Sequence, residues 1–229
     1  MKINLTNIPW YLLTLPNSPK TDVIHKEFND IQIINTYPTP ARELGGGLAG
    51  KIRSGTTGHS HSLNIALQSH KGRFVPFMLV EDDITKTEFY SNILDYPDDA
   101  DIVYVGISRY GLWKLDKRPF AKEMHLAYDN INENLVKTYN MLASHAMLIC
   151  SPLGALVYQK AVSEAFHTGL NWDLYLALQQ PYCSSYALKQ PLMFQLGQKR
   201  ATYLTLPDQS PLEPNISISF AKQQKRYGL

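Results

Sequence analysis

The chain has 229 residues, enough to bury a core without metal or disulfide staples. Lys and Arg number 22 against 20 Asp and Glu, a net charge of +2, which excludes a generally basic nucleic-acid coat and a generally acidic tail protein. With 44% hydrophobic and 18% charged residues, against roughly 25% charged in ordinary soluble domains, the composition is globular and not disordered.

Residues 10–15, closed by Pro16, read as a buried strand. A turn at Asn17-Ser18-Pro19 follows, and Thr21 is the expected cap of a helix to about Asn29. A second strand at 31–35 completes the strand–helix–strand start of an α/β unit. The stretch 38–58 carries Gly45, Gly46, Gly47, Gly50, Gly55 and Gly58 with Arg42, Lys51 and Arg53 between them, and reads as a mobile, basic loop. Ser60 then caps a helix with Leu63, Ala66 and Leu67 on one face.

Residues 74–80 form a near-continuous apolar run, a strand buried on both faces, and Glu81-Asp82-Asp83 follows at once. Thr85 is the expected cap of a helix to about Leu94. A turn at 97–101 leads into a strand at 102–105 that ends in Gly106. Residues 108–123 are irregular, aromatic and basic. A strand at 143–149 precedes a helix opened by Pro152, whose missing N–H costs little there, with Leu153, Leu156, Val157 and Ala161 inward. Asn171 caps a short helix with Trp172, Tyr175 and Leu176 inward. Short strands at 182–188 and 192–196 flank Pro191, and the basic tail 222–229 is expected to fray. There is no internal repeat and no linker, so the expectation is one domain over 1–229 with a core at about 8–196 and residues 197–229 unassigned.

Cys150 and Cys183 make no disulfide scaffold and have no CxxC partner for structural zinc. The first residues lack the basic and apolar regions of a signal peptide, and the longest apolar run falls far short of the ~20 residues of a membrane span. A soluble, cytoplasmic protein is expected. Walker A, GxSxG and GxGxxG motifs are absent, which argues against nucleotide hydrolases and dehydrogenases. His59 and His61 flank Ser60 at a helix start, a poor arrangement for zinc, and His145 reads as a hydrogen-bonded core residue.

The chemistry concentrates at Glu81-Asp82-Asp83. Ligands of open α/β sheets bind outside the carboxyl ends of the strands. Three consecutive carboxylates repel one another, so a cation among them is called for. A hard divalent ion, magnesium or manganese, shared with a substrate phosphate suits them. The plainer alternative is a solvated turn with a helix cap.

The run Val80-Glu81-Asp82-Asp83 resembles the acidic motif of glycosyltransferases with the A-type (GT-A) nucleotide-diphospho-sugar transferase fold. More narrowly it is similar to the lipooligosaccharide-type glycosyltransferase family twenty-five and related virus-encoded sugar transferases. Other segments match in order: Gly58-His59-Ser60-His61 before the acidic strand, the acidic turn leading to Gly106, residues 144–155, and Trp172-Asp173-Leu174. Departures are Asn17-Ser18-Pro19-Lys20, where the family has an arginine-rich segment, and everything after about Gly197.

The resemblance implies a single-domain α/β fold with a mixed central sheet flanked by helices. It implies a metal-dependent transferase moving a hexose from a nucleotide sugar, a UDP-sugar by analogy, to a glycan hydroxyl, with inversion. Glu81 or Asp82 would meet the nucleoside side of the donor and Asp83 would bind Mn2+ or Mg2+. Lys51 and Arg53, with Arg42, would add cationic help to the donor or remain solvated loop cations. Asp173 would be the base that deprotonates the acceptor, or simply an acid in a helix's first turn. Tyr110 and Trp113 could stack on an acceptor sugar or cover the core. The rival readings are a metal-dependent phosphohydrolase, which needs further ligands converging on Asp83, and a non-catalytic sugar- or nucleotide-binding module.

Overall fold

The structure, a computed structural model, describes residues 1–69, 72–107 and 127–195. In chain order these form β1 (Lys2–Asn4), β2 (Trp10–Leu13), α1 (Pro19–Glu27), β3 (Ile33–Thr36), α2 (Gly47–Ser69), β4 (Phe77–Glu81), β5 (Ile84–Lys86) and β6 (Ile93–Asp95). There follow β7 (Ile102–Tyr104), β8 (Tyr128–Asn130), β9 (Leu135–Thr138), β10 (Ala146–Ile149), α3 (Pro152–Thr168), α4 (Trp172–Gln179), β11 (Ser185–Leu188) and β12 (Met193–Gln195). Eight strands make one mixed sheet in the order β3-β2-β4-β10-β7-β11-β9-β8, with β1–β6 and β5–β12 as separate pairs. The expected mixed central sheet flanked by helices is what the chain builds. No helix among the described residues is long and apolar enough to cross a membrane.

The side-chain alternation of the central strands supplies two cores. Tyr11, Phe77, Leu79, Tyr104 and Met147 point to the side covered by Leu63 of α2 and Tyr158 of α3. Trp10, Leu12, Met78, Val80 and Leu148 point to the other side, against Ile24 of α1 and Ile84 and Met193 of the β5–β12 pair. Both faces of β4 are therefore apolar, which is why its sequence runs without polar interruption.

This arrangement also fixes the functional edge. β2 is parallel to both β3 and β4 and lies between them. The path β2–α1–β3–α2–β4 thus leaves β2 on one side and returns on the other, with α1 and α2 on opposite faces. The strand order reverses between β2 and β4, and the crevice at their carboxyl ends is where such sheets take ligands. β10 is antiparallel to β4 and β7, so its first residues open at that same edge.

Several expectations need correction. The Gly-rich stretch is not a loop beyond Gly47: α2 runs 23 residues from there, with Ser60 inside it and not at its start. Gly45, Gly46 and Gly47, at φ +92°, +62° and +61°, make the left-handed approach to it. Interior glycines cost helix stability, about 1 kcal/mol each. Here close packing against backbone calls for Gly50, and packing against the Leu13 side chain favours Gly58. A Cβ on Gly50 would lie 2.8 Å from Ala41 O, and one on Gly58 would lie 2.1 Å from Leu13 Cδ1.

Thr85 caps no helix; it sits in β5 opposite Phe194, and Ile93 pairs with Asn4. The first helix begins at Pro19 with Ser18 as its cap, ahead of Thr21. In α3, Leu153 and Leu156 face solvent, 45% and 61% exposed, while Gly154, Ala155, Tyr158, Ala161 and Val162 face inward. Small residues bring this helix close: a Cβ on Gly154 would lie 2.2 Å from Asp101 O. The large leucines are consequently left outside. α4 continues as a 3-10 turn over Gln180–Tyr182, so β11 starts later than the expected 182.

Candidate functional site

Alternation along β4 continues into the acids. Phe77 and Leu79 belong to the α2–α3 side and Met78 and Val80 to the α1 side. Glu81 accordingly turns toward α2 and α4, and Asp82 toward α1. Asp82 Oδ2 accepts from Thr14 Oγ1 at 2.9 Å and Ser18 Oγ at 3.3 Å. Lys20 Nζ stands 3.5 Å from Asp82 Oδ1. Asp82 thus binds the end of β2 to the start of α1, across the crevice.

Glu81 Oε1 accepts from Ser144 Oγ at 2.9 Å, just ahead of β10. Its Oε2 lies 3.4 Å from Gln195 Nε2, and the same amide nitrogen donates to Asp83 Oδ2 at 2.9 Å. Gln195 therefore touches both acids. Asp83 Oδ1 and Asp173 Oδ1 are buried and have no hydrogen-bond partner among the described residues. Buried polar atoms are normally paired, so these two carboxylate oxygens are candidates for contact with a ligand.

Burial lifts Glu81 to about 7; the charges of Asp83, Asp173 and Asp82 add to the rise, and the Ser144 hydrogen bond opposes it. Asp83 is also raised, by burial first, with the Gln195 hydrogen bond and the Lys20 charge pulling the other way. Asp173 sits in the first turn of α4 and is lifted to about 6 by burial, against hydrogen bonds from its own and Leu174's backbone N–H. His59 reaches the site from α2. Burial pushes it down to about 3, so it is neutral, and its Nε2, 4.0 Å from Glu81 Oε1, forms no ion pair. The other ring nitrogen, Nδ1, lies 2.7 Å from Tyr158 OH, and the ring packs on Trp172 with centroids 4.0 Å apart. His59 is a wedge between α2, α3 and α4 that supports the floor under Glu81.

The sequence-derived set is thus brought together in part. Glu81 turns to the α2–α4 side, where the Asp173 charge reaches it, Asp82 turns to the α1 side, and Asp83 meets Gln195 and feels the charges of Asp82 and Lys20. Arg53 lies at the α2–α3 contact, its Nε donating to Phe166 O at 3.1 Å. That engagement closes one of the free carbonyls at the end of α3. Lys51 is exposed on α2. Tyr110 and Trp113 fall outside the described residues. His145 is buried and held down to about 4 by burial, matching its reading as a core residue. Sequence reasoning missed Thr14, Ser18, Ser144 and Gln195. Ser144 was recoverable, because it directly precedes a strand that begins at the acidic edge; Gln195 had no local signal.

Glu81 and Asp83 are the carboxylates here that could share a magnesium- or manganese-sized ion. Among the described residues no three His, Cys, Asp or Glu side chains converge on one point. Glu81 and Asp83 do converge, through Gln195, and one Asp83 oxygen is unclaimed. Two carboxylates with the remaining positions left to waters and substrate phosphates is the usual protein share for such an ion. A two-metal hydrolytic centre asks for more. A surface hollow of about 410 Å³ lies elsewhere, at the opposite end of β4, lined by Leu67, Arg73, Phe74, Ala155 and Leu156 and carrying no acid.

No protein-family model matches the sequence, and no curated protein matches it. Among solved structures the chain is similar to A197 from STIV, at 12% identity and a TM-score of 0.41, over 80% of this chain and 82% of that one. It is similar to the inositol-1-phosphate CTP transferase from T. maritima, at 13% identity and a TM-score of 0.39, over 99% of each chain. It is also similar to the CTP:phosphocholine cytidylyltransferase from Streptococcus pneumoniae, at 8% identity and a TM-score of 0.35, over 82% of this chain and 93% of that one.

Proposed function

We propose that this chain is a metal-dependent glycosyltransferase of the GT-A type, moving a hexose from a nucleotide-diphosphate sugar, a UDP-sugar, to a glycan hydroxyl with inversion. One observation carries the reading. Glu81 and Asp83 converge at the carboxyl end of β4, in the crevice where strand order reverses, with an Asp83 oxygen buried and unclaimed. The ordered motifs that resemble family twenty-five supply the substrate class.

In this reading Asp83, with Glu81, holds the divalent ion. That ion, when bound, grips the donor's diphosphate and offsets the negative charge that grows as the sugar–phosphate bond breaks. Asp82, Thr14, Ser18 and Lys20, on the α1 side, face the nucleoside end of the donor. Lys51, exposed on α2, meets the donor's phosphates, whereas Arg53 is engaged at the end of α3 and acts on the donor only through the α2–α3 wall. Asp173 takes the acceptor's proton. Its carboxyl, lifted to about 6, is ionised at neutral pH yet binds a proton more readily than an ordinary aspartate.

The test is release of UDP from UDP-sugars with manganese, without acceptor. The parent chain is expected to hydrolyse at least one donor slowly, with chelator abolishing the activity. Asp83→Ala should lower it about 100-fold or more while melting normally in chelator. A chain that binds no nucleotide, with or without metal, in a thermal-shift panel would overturn the reading.

A further inference from the structure

Gln195 Nε2 donates to Asp83 Oδ2 at 2.9 Å and lies 3.4 Å from Glu81 Oε2. The residue comes 112 positions after Asp83, so nothing local places it. Register does. β12 pairs antiparallel with β5, setting Gln195 opposite Ile84, the residue after Asp83. The register is locked further back. Leu192 and Met193 N–H both donate to Val105 O, at 2.8 and 3.3 Å. Thr87 donates its N–H to Leu192 O at 3.0 Å and its hydroxyl to Pro191 O at 2.6 Å. Met193 is fully buried in the α1-side core.

We propose that Gln195 is a positioning residue that holds Glu81 and Asp83 at a shared point and sets the charge of the cation site; this rests on reading the two acids as metal ligands. Two carboxylates this close repel each other. An amide donating to one oxygen of each keeps them converged without cancelling their charge. A lysine or arginine here would hold them equally well and remove the attraction for a cation. The amide also engages Asp83 through Oδ2 only, leaving Oδ1 free to face a ligand.

Manganese binding to the full chain, followed by electron paramagnetic resonance with and without UDP, tests this. Gln195→Ala is expected to weaken manganese binding about tenfold or more, the usual effect of losing a residue that orients ligands. Gln195→Glu is expected to tighten manganese binding while lowering the melting temperature in chelator, because a third carboxylate repels its neighbours until a cation arrives. Gln195→Asn keeps the amide on a shorter stem, and its intermediate affinity serves if the alanine variant does not fold. The opposite signs of the alanine and glutamate variants are the signature that packing alone cannot produce. If both weaken binding, Gln195 only fills space and the inference fails. If both bind as the parent does while Asp83→Ala does not bind, Gln195 is a bystander and the metal reading stands. If the parent binds no manganese in either condition, the metal reading itself falls and the inference with it.

Discussion

The two sides of the β4 terminus treat their carboxylates in opposite ways. On the α1 side, Asp82 accepts from two hydroxyls and faces Lys20, and its bonds tie β2 to α1. On the α2–α4 side, Glu81 feels the charges of Asp83 and Asp173; all three acids are raised by burial, and one oxygen each of Asp83 and Asp173 has no partner among the described residues. The first side stabilises the fold. The second costs stability, and clusters of this kind are favoured at binding and catalytic sites. Charge removal should therefore have opposite consequences on the two sides.

The largest effect expected within this comparison is at Asp173. Asp173→Asn should lower kcat roughly 100-fold or more, the range of a lost general base, and leave the KM for donor nearly unchanged. The parent's kcat should rise with pH through about 6, where Asp173 ionises, and the variant should lose that limb. A variant with unchanged kcat would return Asp173 to the role of an N-terminal-turn acid and move the base elsewhere.

Glu81→Gln sharpens the contrast on stability. The folded pKa is about 7, above the ordinary 4.5, so the protonated form is the one the fold prefers. Its stability contribution is present below pH 4.5 and is lost as pH rises through 7. The neutral glutamine keeps that contribution at every pH. In chelator at pH 8 the variant should be more stable than the parent by on the order of 2 kcal/mol, and near pH 4.5 the two should coincide. Denaturant midpoints across that range measure it. A variant less stable at pH 8 would mean that Glu81 is adequately paired and the crowded side is not strained.

Glu81, Asp82 and Asp83 were legible in the sequence because an apolar run buried on two faces ended in them, whereas Asp173 was singled out through the family resemblance. So were β2, α1, β3 and the opening of α3, each from local periodicity and a local breaker. What separated the two sides was less legible. It follows from which way each side chain leaves β4, and from partners distant in the chain. Gln195 reaches Asp83 through a strand pairing 112 residues apart. The same non-local pairing turned the expected helix after Thr85 into β5 and β6. The glycines of α2 misled for a related reason. Glycine disfavours helix on its own, but Gly50 and Gly58 are where α2 touches Ala41 and Leu13, contacts that exist only once the fold has closed. On α3, Val157 and Ala161 face inward as expected, but Leu153 and Leu156 do not, because close approach selected alanine and glycine for much of the inner face.

The smallest predicted effect is the one that would break the comparison most directly. Asp82→Ala removes the acceptor of Thr14 Oγ1 and Ser18 Oγ, and should cost about 1 kcal/mol at pH 8, the net worth of hydrogen bonds to a charged group less what each hydroxyl recovers elsewhere. Thr14 retains Thr21 Oγ1 at 2.7 Å, which limits the loss. Lys20 adds little: its side chain is 57% exposed, and an ion pair at 3.5 Å on the surface is weak and screened. The cost should therefore change little between low and high salt, and Lys20→Ala alone should be nearly silent. Measured at the same pH in chelator, Asp82→Ala and Glu81→Gln must then move stability in opposite directions. Should Asp82→Ala stabilise the chain as well, both sides of β4 would be strained, and the contrast between the well-paired Asp82 and the three raised acids would not hold.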